Sequence, residues 1–337
     1  MSAVTYEGQG VFSVGPATVV PPGPGEVRLE VAYCGVCGTD LHIAHGAMDE
    51  RIGGPRVIGH EMSGTVAEVG PDVDGLRPGD PVVVRPLDTR EVPAADRAHS
   101  HVGRNLRFIG IDSPGALQAS WTVPAFTVHR VPDGLDLELA AFAEPLAVAC
   151  HDVRRGEVAS GELVLVIGGG PIGTLIALVA RARGARVLLV EVDAGRRALA
   201  HALELTAVEP GDELDAAIEA ESGGAGADVV FEVSGSAAGI LAATRHAAIR
   251  GRVVVVAIFP EPKPVALFDL FWKELDVRGA RVYEPEDFEA ALSLLAARSL
   301  GIERLLTAVE PIERVPEVFA ELLAGREAMK ILVDCRA

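Results

Sequence analysis

The sequence predicts an α/β protein with an all-β, barrel-like part followed by a doubly wound parallel sheet. Up to about residue 130, short β-branched runs such as "EVRLEVAYCGV", "GTVAEVG" and "DPVVVRPL" are punctuated by Gly and Pro, the texture of short strands and tight turns. From residue 162 it changes to "ELVLVIGGGPIGTLIALVARARGARVLLVEVD": a buried strand, a Gly turn, an amphipathic helix and a second strand. That alternation is the βαβ unit of a parallel sheet. With 337 residues, 49% of them apolar and 23% charged, the chain can bury two cores.

Taken in order, "ASWTVPAFTVHRVP" closes the β-rich part, and "DTREVPAADRAHSHVGRN" (88–105) is polar enough to be an excursion from it. After the first βαβ unit come "ADVVFEVSG", a helical "AAGILAATRHAAI" and "GRVVVVAIF". Runs apolar on both faces read as central parallel strands. Beyond residue 285 the pattern gives two helices, "EDFEAALSLLAARS" and "VPEVFAELLAG", and a closing strand "KILVDC". No internal repeat is evident.

Acidic residues outnumber basic ones by 48 to 30, a net charge of -18, which opposes nucleic acid and anionic membranes alike. No apolar stretch has bilayer-spanning length, and the N-terminus lacks a basic region followed by an apolar run. A cytoplasmic protein is expected. Four cysteines are too few and too scattered for a disulfide framework; Cys150 and Cys335 read as inert core residues.

In "VLVIGGGPIG", Gly168, Gly170 and Gly173 stand in the G-x-G-x-x-G register, with Pro171 and Ile172 between the last two. The first glycine permits the turn, the second admits a pyrophosphate, the third lets helix and strand pack, and the helix N-terminus offers free N–H groups. Eighteen residues past Gly173, Glu191 ends the next strand, where the fingerprint needs a carboxylate for the adenosine ribose. It would repel a 2′-phosphate, so NAD is expected over NADP, although Arg196 and Arg197 weaken that preference.

The stretch "CGVCGTDLH" (34–42) is open to three readings: half of a structural zinc site, a redox pair, or part of a catalytic centre. The redox reading lacks a thioredoxin-like strand-to-helix context, and no second cysteine pair completes a structural site. His60 and Glu61 in "RVIGHEMSG" offer an imidazole and a carboxylate; with the Cys37 thiolate they form a donor set suited to zinc.

In order, "VCGTDLH", "VIGHEMSGTVAEVG", "FAEPLAVACH" and "VLVIGGGPIG" resemble the medium-chain, zinc-dependent alcohol dehydrogenase superfamily, most of all its sorbitol and threonine dehydrogenase branch. The resemblance implies a GroES-like catalytic zinc domain (1–148 with 286–337), a Rossmann NAD domain (149–285), and a cleft between them for the reaction. It makes Cys37 and His60 zinc ligands and Glu61 a carboxylate beside the metal that ligates in some members. It puts Glu144 where alcohol dehydrogenases proper carry a second cysteine, makes Asp40 the group that orients His60, and gives Cys34 no role. Thr39 would hydrogen-bond the substrate oxygen and His42 would relay the proton. Zinc would lower the alcohol pKa so that an alkoxide could expel hydride.

The chain departs from the family where many members carry four cysteines around a second, structural zinc. Residues 86–105 have none of them, only His99 and His101, so one zinc per subunit is expected. Phe108, Asp112, Arg85 and Arg104 are candidate substrate-facing groups, suited to a polyol, sugar or hydroxy acid. Trp121 stands one place beyond the family's expected aromatic. The family also implies a dimer or tetramer, with "VALFDLFWKELDVRGA" as a possible contact. Two rivals share the fold: an NADPH-dependent carbonyl reductase, and a nucleotide-binding protein without catalysis.

Overall fold

Strand Glu26–Gly35 is the spine of the β-rich part, its Val27, Leu29 and Val31 alternating into the core. In the computed structural model, which describes residues 1–336, it sits inside a sheet ordered Val128–Arg130, Pro81–Val84, Glu61–Val69, Glu26–Gly35, Lys330–Asp334, Leu306–Pro311; Ser120–Pro124 also pairs with it. The register sets Glu61 opposite Gly35, and Gly35 opposite Leu332. The last strand of the chain thus lies beside the segment that leads to Cys37. Gly35 has a specific duty here, because a Cβ on it would lie 2.2 Å from Glu61 Oε2.

The excursion at 88–105 contains a 3-10 helix, Ala94–Val102. Its base is a two-stranded ladder of Leu87–Asp88 and Arg107–Phe108. Arg104 Nε donates to Asp96 Oδ2 at 2.7 Å, and Arg90 pairs with Asp88.

The six-stranded sheet is parallel throughout, in the order Thr206–Val208, Arg186–Val190, Leu163–Ile167, Ala227–Glu232, Ala247–Val255, Asp276–Gly279. This is the doubly wound arrangement, whose order reverses beside the first strand. Leu163, Leu165, Leu188, Val190, Val230 and Val253 share one core cluster with the helical Leu214 and Ile218. Helix Pro171–Ala182 closes tightly on the Gly turn: a Cβ on Gly173 would stand 1.8 Å from the Gly168 carbonyl oxygen. His151 Nδ1 lies 2.9 Å from Asp287 Oδ2 and Arg154 Nε donates to Asp287 Oδ1 at 2.7 Å, a structural use of that histidine.

By contact density the chain divides into two units, Met1–Glu144 with Ala291–Arg298 and Leu305–Ala337, and Pro145–Ala290 with Ser299–Arg304. The residues discussed below as a metal pocket belong to the first, and those of the Gly turn to the second.

Candidate active site

Cys37 leaves the spine strand and caps the short helix Gly38–Ala44. Its N–H donates to Asp40 Oδ2 at 2.9 Å, fixing the turn. One ligand-type atom from each of Cys37, His60 and Glu61 lies within 4.8 Å of the other two. Glu61 Oε1 is buried without a hydrogen-bond partner, whereas Oε2 accepts from Lys330 Nζ at 2.6 Å. The same ammonium donates to the Val36 carbonyl at 3.2 Å. An orphaned buried carboxylate oxygen beside a thiol and an imidazole is a donor set that fits a metal ion.

Asp40 Oδ1 stands 3.6 Å from His60 Nδ1, beyond good hydrogen-bond length but near enough for charge to act. Burial alone would lower the His60 imidazole, yet Asp40, Cys37 and Glu144 together hold it well above its ordinary value. Burial raises the Asp40 carboxyl, against the pull of His60. Lys330 is pushed down by burial and, on balance, held up by Glu61 and Cys37.

Glu144 is buried in the first turn of helix Ala143–Arg155. It is outside the three-residue group and acts on His60 and Lys330 through its charge. Thr39 is half-buried and His42 exposed, both on the helix that Cys37 caps. Phe108 sets its ring edge-on to His60, with centroids 5.2 Å apart. Cys34 is fully buried and its thiol is pushed well up by burial.

In the other unit, Gly170 caps helix Pro171–Ala182, with Pro171 in the first turn. Glu191 is buried; Oε2 accepts from the Gly169 N–H at 2.8 Å and Oε1 from the Asp193 N–H at 2.9 Å. A carboxylate has about four acceptor positions, so two remain for a ligand. Arg196 Nη1 lies 3.7 Å from Glu191 Oε2, and Arg197 donates to the Glu191 carbonyl at 2.9 Å.

Two candidate substrate groups have other duties. Asp112 is held by Arg51 and by the Phe108 N–H, and Arg104 is spent on Asp96. Arg85 is buried, with its N–H bonded to the Thr127 carbonyl at 2.8 Å. Sequence reasoning missed Lys330. Its signal was a lone lysine opening the apolar run "KILVDC".

The zinc-binding dehydrogenase family model matches residues 171–297, and that of the alcohol dehydrogenase GroES-like domain matches residues 23–133. The chain belongs to the zinc-dependent medium-chain alcohol dehydrogenases. It is similar to the 2-dehydro-3-deoxy-L-galactonate 5-dehydrogenase of Pseudoalteromonas atlantica, at 47% identity over 339 residues covering 100% of this chain and 99% of the relative. Human sorbitol dehydrogenase is 34% identical, over 93% of this chain and 90% of that one. A zinc-binding dehydrogenase from Sinorhizobium meliloti, solved with NADP bound, is 33% identical with a TM-score of 0.91, over 99% of this chain and 98% of that one. This dehydrogenase is therefore of the polyol branch, a zinc-dependent oxidoreductase of secondary alcohols that uses a nicotinamide cofactor. Among the described residues, no helix is long and apolar enough to cross a membrane.

Proposed function

We propose that the dehydrogenase oxidises a secondary hydroxyl of a sugar acid to the ketone, passing hydride to NAD and releasing one proton. The observation that carries the proposal is the convergence of Cys37, His60 and Glu61 around a buried, unpartnered carboxylate oxygen. Cys37, His60 and Glu61 would hold one zinc per chain, with Lys330 restraining Glu61 and Glu144 lending its charge to the same pocket. The ion, when bound, supplies the Lewis acidity that brings an alcohol pKa toward neutrality. Asp40 orients His60 through charge. Thr39 hydrogen-bonds the substrate hydroxyl, and the exposed His42 hands the proton to solvent. The choice of a sugar acid rests on the substrate of the Pseudoalteromonas relative.

Gly168, Gly170 and Gly173, with Pro171 and Ile172, cradle the pyrophosphate, while Glu191 receives the ribose hydroxyls. Arg196 already faces the Glu191 carboxylate, so its charge is partly used and NAD is favoured. NADP is the second reading, supported by the ligand of the Sinorhizobium protein. In the same proposal residues 1–148 and 286–337 carry the metal chemistry, residues 149–285 carry the nucleotide, and the protein is cytoplasmic. A homo-oligomer is part of it as well: Phe268, Phe271 and Trp272 are 69%, 77% and 70% exposed on the helix Leu267–Lys273, which leads into the edge strand Asp276–Gly279, an unusual cost for a monomer.

The test is metal content and reduction of NAD and NADP on sugar acids and polyols, before and after chelation. About one zinc per chain, chelator-sensitive turnover and preference for NAD are expected. Metal-free turnover would remove Cys37 and His60 from the mechanism, and tighter NADP binding would overturn the assignment of Glu191.

A further inference from the structure

Three arginines meet on one short loop of the first unit. Arg51 forks onto Asp112, with Nε to Oδ1 and Nη2 to Oδ2 both at 2.8 Å. Arg56 Nη1 donates to the Ile111 carbonyl at 2.5 Å, and Arg107 Nη2 to the Asp112 carbonyl at 3.1 Å. Two of the three therefore spend donors on uncharged carbonyls, and two carboxylates stand near the three guanidiniums, Asp112 beside Arg51 and Arg107, and Asp88 opposite Arg107. Burial would raise the Asp112 carboxyl, but the Arg51 fork and the Phe108 N–H hold it below the usual range. The local excess of positive charge stands out in a chain whose net charge is -18.

Its position matters more than its sign. Asp112 Oδ2 accepts from the Phe108 N–H at 2.7 Å, and the Phe108 ring abuts His60, as described above. Arg107 is the neighbour of Phe108 in the chain. The loop that carries Arg107 and Asp112 thus meets the candidate metal pocket through the Phe108 ring. Arg51 and Arg107 are exposed and Arg56 is half-buried. Each guanidinium carries five N–H donors, so these four bonds leave most of them for a ligand. Arginine is well suited to bind a carboxylate by two parallel hydrogen bonds.

We propose that Arg51, Arg56 and Arg107 recognise the carboxylate of the sugar-acid substrate, setting its reacting hydroxyl toward the metal pocket. The proposal rests on the sugar-acid reading above and assigns the residues that would make it selective. A substrate whose reacting carbon lies far from its carboxyl needs an anion site set apart from the metal, and Phe108 provides the spacing.

The test compares 2-dehydro-3-deoxy-L-galactonate, the substrate of the Pseudoalteromonas relative, with its neutral amide on the full-length holoenzyme, using Arg107→Met, Arg56→Met and Arg107→Lys. Arg51→Met is held back because it also breaks the fork that orders the loop. The expected result is a rise in KM for the acid of about tenfold or more in Arg107→Met, the size of a lost charge-assisted hydrogen bond. The loss should fall on KM rather than kcat, be much larger for the acid than for the amide, and be partly recovered by lysine. Added salt should raise the wild-type KM for the acid alone. A merely structural role would shift both compounds equally, and that outcome, or no shift in either methionine variant, overturns the assignment of the arginines while leaving the dehydrogenase reading intact. Wild-type enzyme that oxidises neither compound overturns the sugar-acid reading and this proposal with it.

Discussion

The Gly turn and the candidate metal pocket are built by opposite means. At the turn, one contiguous stretch presents backbone N–H groups, and its glycines matter for atoms they do not have: a Cβ on Gly173 would run into the Gly168 carbonyl. At the pocket, Cys37, the adjacent His60 and Glu61, and Lys330 arrive from three separate segments, and what matters is the side chains present. Adding an atom should break the first site and removing one should break the second.

The largest effect is expected at Cys37. Cys37→Ser removes the thiolate that makes the donor set suited to zinc, and should lower turnover by about 10³-fold, equivalent to about 4 kcal/mol of barrier. Metal per chain should fall in parallel, while circular dichroism and nucleotide binding persist. Retained metal and retained turnover would take Cys37 out of the pocket.

Next comes Lys330→Met, which leaves the Glu61 carboxylate buried without its cation. Breaking one side of a buried pair costs about 3 to 5 kcal/mol, read as a lower urea midpoint of the metal-free protein. Glu61→Gln in the same background should restore most of it, because the stranded charge is then gone. Additive losses in the double variant would show that the pair does not act as a unit.

The two sites were not equally legible. "VLVIGGGPIG" followed by Glu191 could be read directly, because turn, helix start and carboxylate lie along one stretch whose spacing is set by local geometry. What the sequence did not reveal is that Glu191 already accepts two backbone N–H groups, one of them from the turn itself. At the pocket, Cys37 and His60 were found through chemistry and motif, but Lys330 was not. It lies 269 residues from Glu61, and only the pairing of the last strand with Glu26–Gly35 brings them together. The same limit hid the arginine cluster, where Asp112 was legible as a polar group but its clasp by Arg51, 61 residues away, was not.

The smallest predicted effects come from two glycines in one motif, and they separate folding from binding. Gly173→Ala should cost stability, about 2 kcal/mol from overpacking, because its Cβ meets backbone at 1.8 Å. Gly170→Ala should cost almost none, since the nearest atom to its Cβ is Arg196 Nη1 at 4.0 Å. If that open space is where the pyrophosphate approaches the backbone, the methyl group should instead weaken NAD about tenfold, or about 1.4 kcal/mol. Calorimetry and NAD titration on both variants decide it. A Gly170→Ala protein that binds NAD as the wild type does would mean that the pyrophosphate does not pass over Gly170, and the Gly turn would then be a packing device rather than a cradle.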